Sequence, residues 1–209
     1  AVTGPVSGTT FAWTNNNTDI GLGASGSGSV AGTIPAFTAT NTGTAPIYAT
    51  ISIVPTANGC VGPTQVYTIT VNPTPTVDAI ANQTYCNTDG APATAVTGPV
   101  SGTTFAWTNN NTAIGLGASG TGAMPGTIPA FTATNTGAAP IYATISIVPT
   151  AAGCVGPTQT YTITVNPTPT VDAIANQTYC NTASAPVTPV TGPVSGTTFA
   201  WTNNNTAIG

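Results

Sequence analysis

Apolar and polar residues alternate one by one along several short runs of this chain. In Thr160–Asn166, Tyr161, Ile163 and Val165 alternate with Thr162 and Thr164. That spacing predicts a strand with one buried face. In Ile141–Val148, Ile141, Ala143, Ile145 and Ile147 form one face, and Tyr142, Thr144 and Ser146 the other. Thr103–Asn109 and Ile128–Asn135 read the same way, and Gly, Pro and Asn separate the runs. No window has helical periodicity with a cap, so the fold class is all-β. About seven short strands per unit predict a two-sheet sandwich. Trp107 sits mid-strand with Phe105 two positions before it. Both are assigned to the core, together with Trp13, Trp201 and Phe131. The alternative for the Trp is an exposed platform that stacks on sugars.

The pattern repeats. Ala1–Thr18 returns at Ala95–Thr112, and from Val190 the same words return again, a period of 94 residues in a chain of 209. Residues 1–94 and 95–188 differ at eleven positions, seven of which cluster at 27–31 and 89–93. Such clusters are expected at loop tips. The period is too long for a solenoid turn and suits an autonomous domain. Pro73 and Pro75, with their copies Pro167 and Pro169, lie in NPTPT runs without an apolar face. These are assigned as stiff linkers. The expected organisation is an incomplete repeat at 1–73 lacking its first strand, a complete repeat at 74–167, and the N-terminal part of a third at 168–209. The tandem units are thus about 94 residues each.

Charge narrows the function. The chain has no Lys, Arg or His and only four acids, Asp19, Asp78, Asp89 and Asp172. Without cations it cannot neutralise phosphates, so nucleic acid is not an expected partner, and polybasic attraction to lipid is excluded. No apolar run approaches a membrane span, and no signal peptide opens the chain. With 40% hydrophobic residues the chain still has material for a core. Its polar surface comes from Thr, Asn, Ser and Gly.

The same absences bear on chemistry. General acid–base catalysis usually needs His or a tuned Glu or Lys, and nothing is present to activate Ser or Thr. The complete repeat offers only Asp78 and Asp89, and Asp89 is Ala183 in the next copy, so a carboxylate pair does not recur with the repeat. No enzyme activity and no cofactor are expected. Asp78 with Asn82 is a weak calcium candidate, and the competing reading is a turn or surface acid. Asn-x-Thr sequons fall at Asn16, Asn82, Asn110, Asn176 and Asn204; a plain β-turn role is the favoured reading.

Cys60, Cys86, Cys154 and Cys180 are two positions repeated at 94. Cys60–Cys86 and Cys86–Cys154 are the pairings available within the chain. With the boundary at NPTPT, Cys86–Cys154 is the expected structural disulfide, and Cys60 and Cys180 pair with cysteines outside the fragment. Closing that loop would contribute about 4 kcal/mol and implies an oxidising compartment. Zinc is disfavoured, since each repeat has two thiols and no His.

GTTFAWTNNNTAIGLGASGTG, IPAFTATNTG, ATISIVPTAAGCVGPTQTYTITVNPTPTV and IANQTYCN together resemble the PKD-like, Ig-like repeats of giant secreted surface proteins of Bacteroidota. The resemblance implies adhesin stalks or surface fibres, often exported through a type IX sorting domain. PKD domains also serve as spacers in secreted enzymes. The expected function is a structural segment of an extracellular fibre or adhesin stalk, with neighbouring copies of the repeat as partners and no insertion into membrane. Edge strands lacking charged gatekeepers favour self-association. The alternatives are a glycan-binding array presenting Tyr48, Tyr142 or the Trp to surface glycans, and a spacer of a secreted hydrolase.

Overall fold

The computed structural model describes residues 2–28 and 32–208. In the first repeat the strands are β1 (Thr10–Asn15), β2 (Ser25–Gly28), β3 (Ile47–Ala57), β4 (Cys60–Val61) and β5 (Gln65–Val71). The second repeat holds β6 (Gln83–Cys86), β7 (Gly90–Ala91), β8 (Thr94–Val96), β9 (Thr104–Asn109) and β10 (Ser119–Ala123). It continues with β11 (Gly126–Ile128), β12 (Phe131–Thr132), β13 (Ile141–Ala151), β14 (Cys154–Val155) and β15 (Gln159–Asn166). The only helical elements among the described residues are 3-10 turns at Thr18–Ile20, Thr112–Ile114 and Thr206–Ile208.

The main sheet of the second repeat runs β10-β9-β13-β15-β6, with β14 hairpinned onto β13. Short ladders β8–β11 and β7–β12 lie outside it and supply the opposing layer of a sandwich. Period-two burial holds along β13 and β15, so Ile145, Ile147, Ile163 and Val165 point into the core. Trp107 and Phe105 join them from β9, while Ile128 and Ala133 come from the other layer. Trp107 lies against its cross-strand partner Gly120, where an added Cβ would come within 2.6 Å of the indole nitrogen. Phe131 is half-buried and meets Tyr85 edge-to-face at 6.0 Å.

The first repeat builds the same sheet core from β2-β1-β3-β5, with Phe11 and Trp13 buried. It has no counterpart of β6 or β7 among the described residues. Only an isolated bridge, Val2 to Gly32, stands where the second repeat has β8–β11. Ile128–Asn135 is not the continuous strand expected from its alternation. It breaks into the end of β11 and the two-residue β12.

Residues 168–208 form no strand. Trp201 is 82% exposed, which corrects its assignment to the core. The strands that bury Trp107 against β9, namely β10 and β13, have no counterparts in this segment.

The Cys86–Cys154 disulfide is also corrected. All four thiols are free, and the register explains why these two do not meet. β6 runs parallel to β15, which sets Cys86 opposite Asn166. Cys154 lies opposite Ala151, whereas Val165, beside Asn166, lies opposite Ile141. From Ile141 to Ala151 is ten residues of extended chain, about 33 Å at the usual strand rise. A disulfide needs Cα atoms within about 7 Å. The two cysteines mark opposite ends of the repeat.

Candidate interface at the open edge of the first repeat

The stretch from Pro73 to Ala91 is integral to the second repeat. Pro73, Pro75 and Val77 are buried and alternate with more exposed residues, so the proline joint is packed, and Val77 enters the second core. The Pro75 and Thr76 carbonyls lie where Cβ atoms on Gly156 and Gly98 would stand. Glycine is required at both places by this close approach. Asp78 donates its N–H to the Thr97 carbonyl at 2.8 Å, and its carboxylate accepts the Thr97 hydroxyl at 2.6 Å. The Asn82 side-chain oxygen accepts the Thr162 N–H at 2.8 Å. β6 then completes the edge of β15. Beyond it, Asn87 accepts the Asn135 N–H at 2.8 Å, and Thr88 donates to the Ala133 carbonyl at 2.7 Å.

The corresponding residues of the first repeat are more exposed. Tyr67 is 41% exposed, whereas its counterpart Tyr161 is 3% exposed. Val6 is 52% exposed against 6% for Val100. Ala39 and Ile69 are uncovered relative to Ala133 and Ile163. Between the sheet and the N-terminal segment lies a groove of about 730 Å³, lined by Val2, Val6, Phe11, Ile53, Pro55 and Val61 among others. Its lining has no charged side chain.

The remaining sequence candidates lie elsewhere. Asp78 and Asn82 are engaged with Thr97 and Thr162 rather than with each other. No group of three potential metal ligands occurs among the described residues. Tyr48 and Tyr142 are each 61% exposed, at the same place on both repeats. Pro167 is buried and Pro169 exposed. No helix among the described residues is long and apolar enough to cross a membrane.

The Asn runs, expected as turns or sequons, form a framework that no sequence motif signals. Asn109 is buried and donates to the carbonyls of Leu116 and Gly117 at 3.0 and 3.2 Å, while accepting the Asn111 N–H at 2.9 Å. Asn111 caps the 3-10 turn through Ala113 N–H and reaches the Tyr142 carbonyl; Asn110 accepts the Thr144 N–H. The same four-residue word at 15–18 makes the same bonds in the first repeat.

No curated protein matches the chain. Among solved structures, the crystal structure of chicken CNTN1 FN1–FN3 domains matches at 10% identity and a TM-score of 0.29, over 82% of this chain and 63% of that one. This chain therefore spans less than two thirds of that structure. Residues 83–169 match the PKD-like domain family, and with this match the fold of the complete repeat is all-β and Ig-like, of the PKD-like kind.

Proposed function

We propose that this chain is a non-catalytic structural segment of an extracellular fibre or adhesin stalk, built by stacking near-identical sandwich repeats. The observation that carries the reading is the packed joint. Pro73 and Pro75 are buried, the Pro75 carbonyl sits against Gly156, and Asn72 donates to the Ala152 carbonyl at 3.2 Å. Asn72 carries the side-chain hydrogen bond from the first repeat to the second, and the buried prolines hold the chain that follows it against the second repeat, an arrangement a stalk would use. The PKD-like match and the absence of Lys and Arg, which denies trypsin-type proteases a cleavage site, support an exposed extracellular setting. Electron microscopy of material shed from the native cell surface tests the reading. The expected result is filaments with an axial spacing of one repeat or a small multiple; globular particles would overturn it.

A second reading rests on Tyr48 and Tyr142, exposed aromatics at one periodic position that could stack on surface glycans. Glycan-array binding abolished by Tyr142→Ala would favour it. An array without signal would dismiss it.

A further inference from the structure

We infer that β10 is a docking edge for the β10 of a second copy, paired antiparallel about Thr121, so that neighbouring chains join sheet to sheet along their sides. The inference rests on the stalk reading for its setting and adds how one stalk holds to the next.

β10 ends the main sheet on one side, and its ladder partner among the described residues is β9 alone. Antiparallel strands turn the main-chain groups of alternate residues toward a given neighbour. Here the phase is fixed at both ends of the ladder. Asn109 donates its N–H to the Ala118 carbonyl, and Met124 donates to the Thr103 carbonyl, each at 2.8 Å. Ala118, Gly120, Gly122 and Met124 therefore face β9. Ser119, Thr121 and Ala123 turn their N–H and C=O groups outward, where no other element bonds them among the described residues. The Ala123 carbonyl sits where a Cβ on Gly126 would stand, so it is left out of the pairing.

Natural edges are usually guarded by Lys, Pro, a bulge or an inward-pointing charge. Ser119–Ala123 reads Ser-Gly-Thr-Gly-Ala in an unbroken register, and Pro125 falls beyond it. An inward charge is sterically barred. Cβ atoms on Gly120 and Gly122 would come within 2.6 Å of Trp107 and 3.0 Å of Phe105. The opposite edge of the sheet is guarded, because the Asp89 carboxylate accepts the Cys86 N–H of β6 at 2.7 Å. β10 is the unguarded side.

The occupant follows from the register. A strand pairs with its own copy where its outward groups match themselves under a two-fold rotation. Rotation about Thr121 sets Thr121 against Thr121 and Ser119 against Ala123, so outward residues meet outward residues. The two Thr121 residues exchange N–H···O=C bonds, and each Ala123 N–H reaches the Ser119 carbonyl opposite. Thr121 is exposed, and on the solvent face the two side chains form a cross-strand pair. No charge opposes the approach, since neither β9 nor β10 carries one.

The first repeat presents the same edge. Asn15 donates to the Ala24 carbonyl at 2.7 Å, so Ser25 and Ser27 of β2 turn outward. A pairing of so few hydrogen bonds is weak alone. Recurring with the 94-residue period, it gains strength by being made several times along two chains.

The test follows outward amides of the purified 209-residue protein by NMR hydrogen exchange at low and high protein concentration. The Thr121 and Ala123 amides should slow by about ten-fold or more on concentration, while Gly120 and Gly122, already bonded to β9, change little. Thr121→Pro removes an outward donor and no bond to β9. Thr121→Lys sets two ammonium groups face to face at the two-fold axis. Both variants should keep the wild-type unfolding midpoint and weaken self-association in sedimentation by about ten-fold or more. Molar salt should restore much of the association in T121K and none in T121P. Thr121 and Ala123 amides that exchange equally fast at every concentration overturn the inference, and this arm needs no variant. Association undiminished in both variants overturns it too, as it would place the contact on another surface. Electron microscopy keeps the two readings apart: unbundled single filaments on the cell surface would sink edge pairing and leave the stalk standing.

Discussion

Asn72, just past the last strand of the first repeat, donates from Nδ2 to the main-chain carbonyl of Ala152 in the second at 3.2 Å. Ala152 is held at φ +47° and Gly153 at φ +80°, in a two-residue hairpin between β13 and β14. The contact between repeats is therefore made with a turn whose backbone favours Gly or Asn.

The first repeat has Asn58–Gly59 at this turn, with φ +51° and +79°. Asn tolerates the left-handed region better than Ala. Ala152→Asn should stabilise the second repeat by about 1 kcal/mol, read as a rise in its urea midpoint. The joint should survive, because the bond from Asn72 uses the main-chain carbonyl.

Gly156 and Gly62 form a matched pair. A side chain at Gly156 meets the Pro75 carbonyl and comes within 2.9 Å of Pro149, whereas at Gly62 it meets only Pro55, at 3.0 Å. Gly156→Val should cost about 1–3 kcal/mol by forcing the joint off its seat. Gly62→Val should cost measurably less, and comparing the two by thermal unfolding isolates the contribution of the joint.

Asn109 makes three hydrogen bonds from a buried position. Asn109→Ala leaves two carbonyls and one N–H without that partner and should destabilise the repeat by about 2–3 kcal/mol. Asn109→Asp should not rescue it, since a carboxylate cannot donate to the Leu116 and Gly117 carbonyls.

Tyr161 is buried and its hydroxyl has no hydrogen-bond partner. Burial raises its pKa above the ordinary value of 10.0; the nearby Thr94 hydroxyl opposes the shift and Tyr85 adds to it. The unfolded chain therefore releases this proton first. The associated stability is full below the unfolded pKa and is lost as pH rises through the folded one. Tyr161→Phe should flatten this alkaline loss in denaturation curves measured above about pH 10, while leaving stability near neutrality equal or slightly higher.

Much of the fold was legible in the residues. The alternation of Tyr161, Ile163 and Val165 locates β15, and that of Ile141 to Ile147 locates β13, because one face of each is buried in a single core. Phe131 and its neighbours read as one strand but fall into fragments, since the opposing layer is made of two-residue and three-residue ladders set by tertiary contact. The proline run carried no periodic signal of its own. Its burial depends on Gly98 and Gly156, distant in sequence and recognisable only once the sheet is formed. The cysteine pairing failed for a related reason. Strand order in the chain does not reveal whether first and last strands run parallel, and here they do.

That parallel pairing decides how a repeat answers tension. The chain approaches the repeat through Pro75, at the end marked by Gly156, and leaves through Pro167, just beyond Asn166 at the other end. The strands nearest these two points are β6 and β15, and they are direct neighbours. A pull on the chain from both sides slides one along the other, across hydrogen bonds that slant between evenly spaced partners. Those bonds must yield together rather than peel apart in turn. The second repeat is thus arranged to resist stretching in shear.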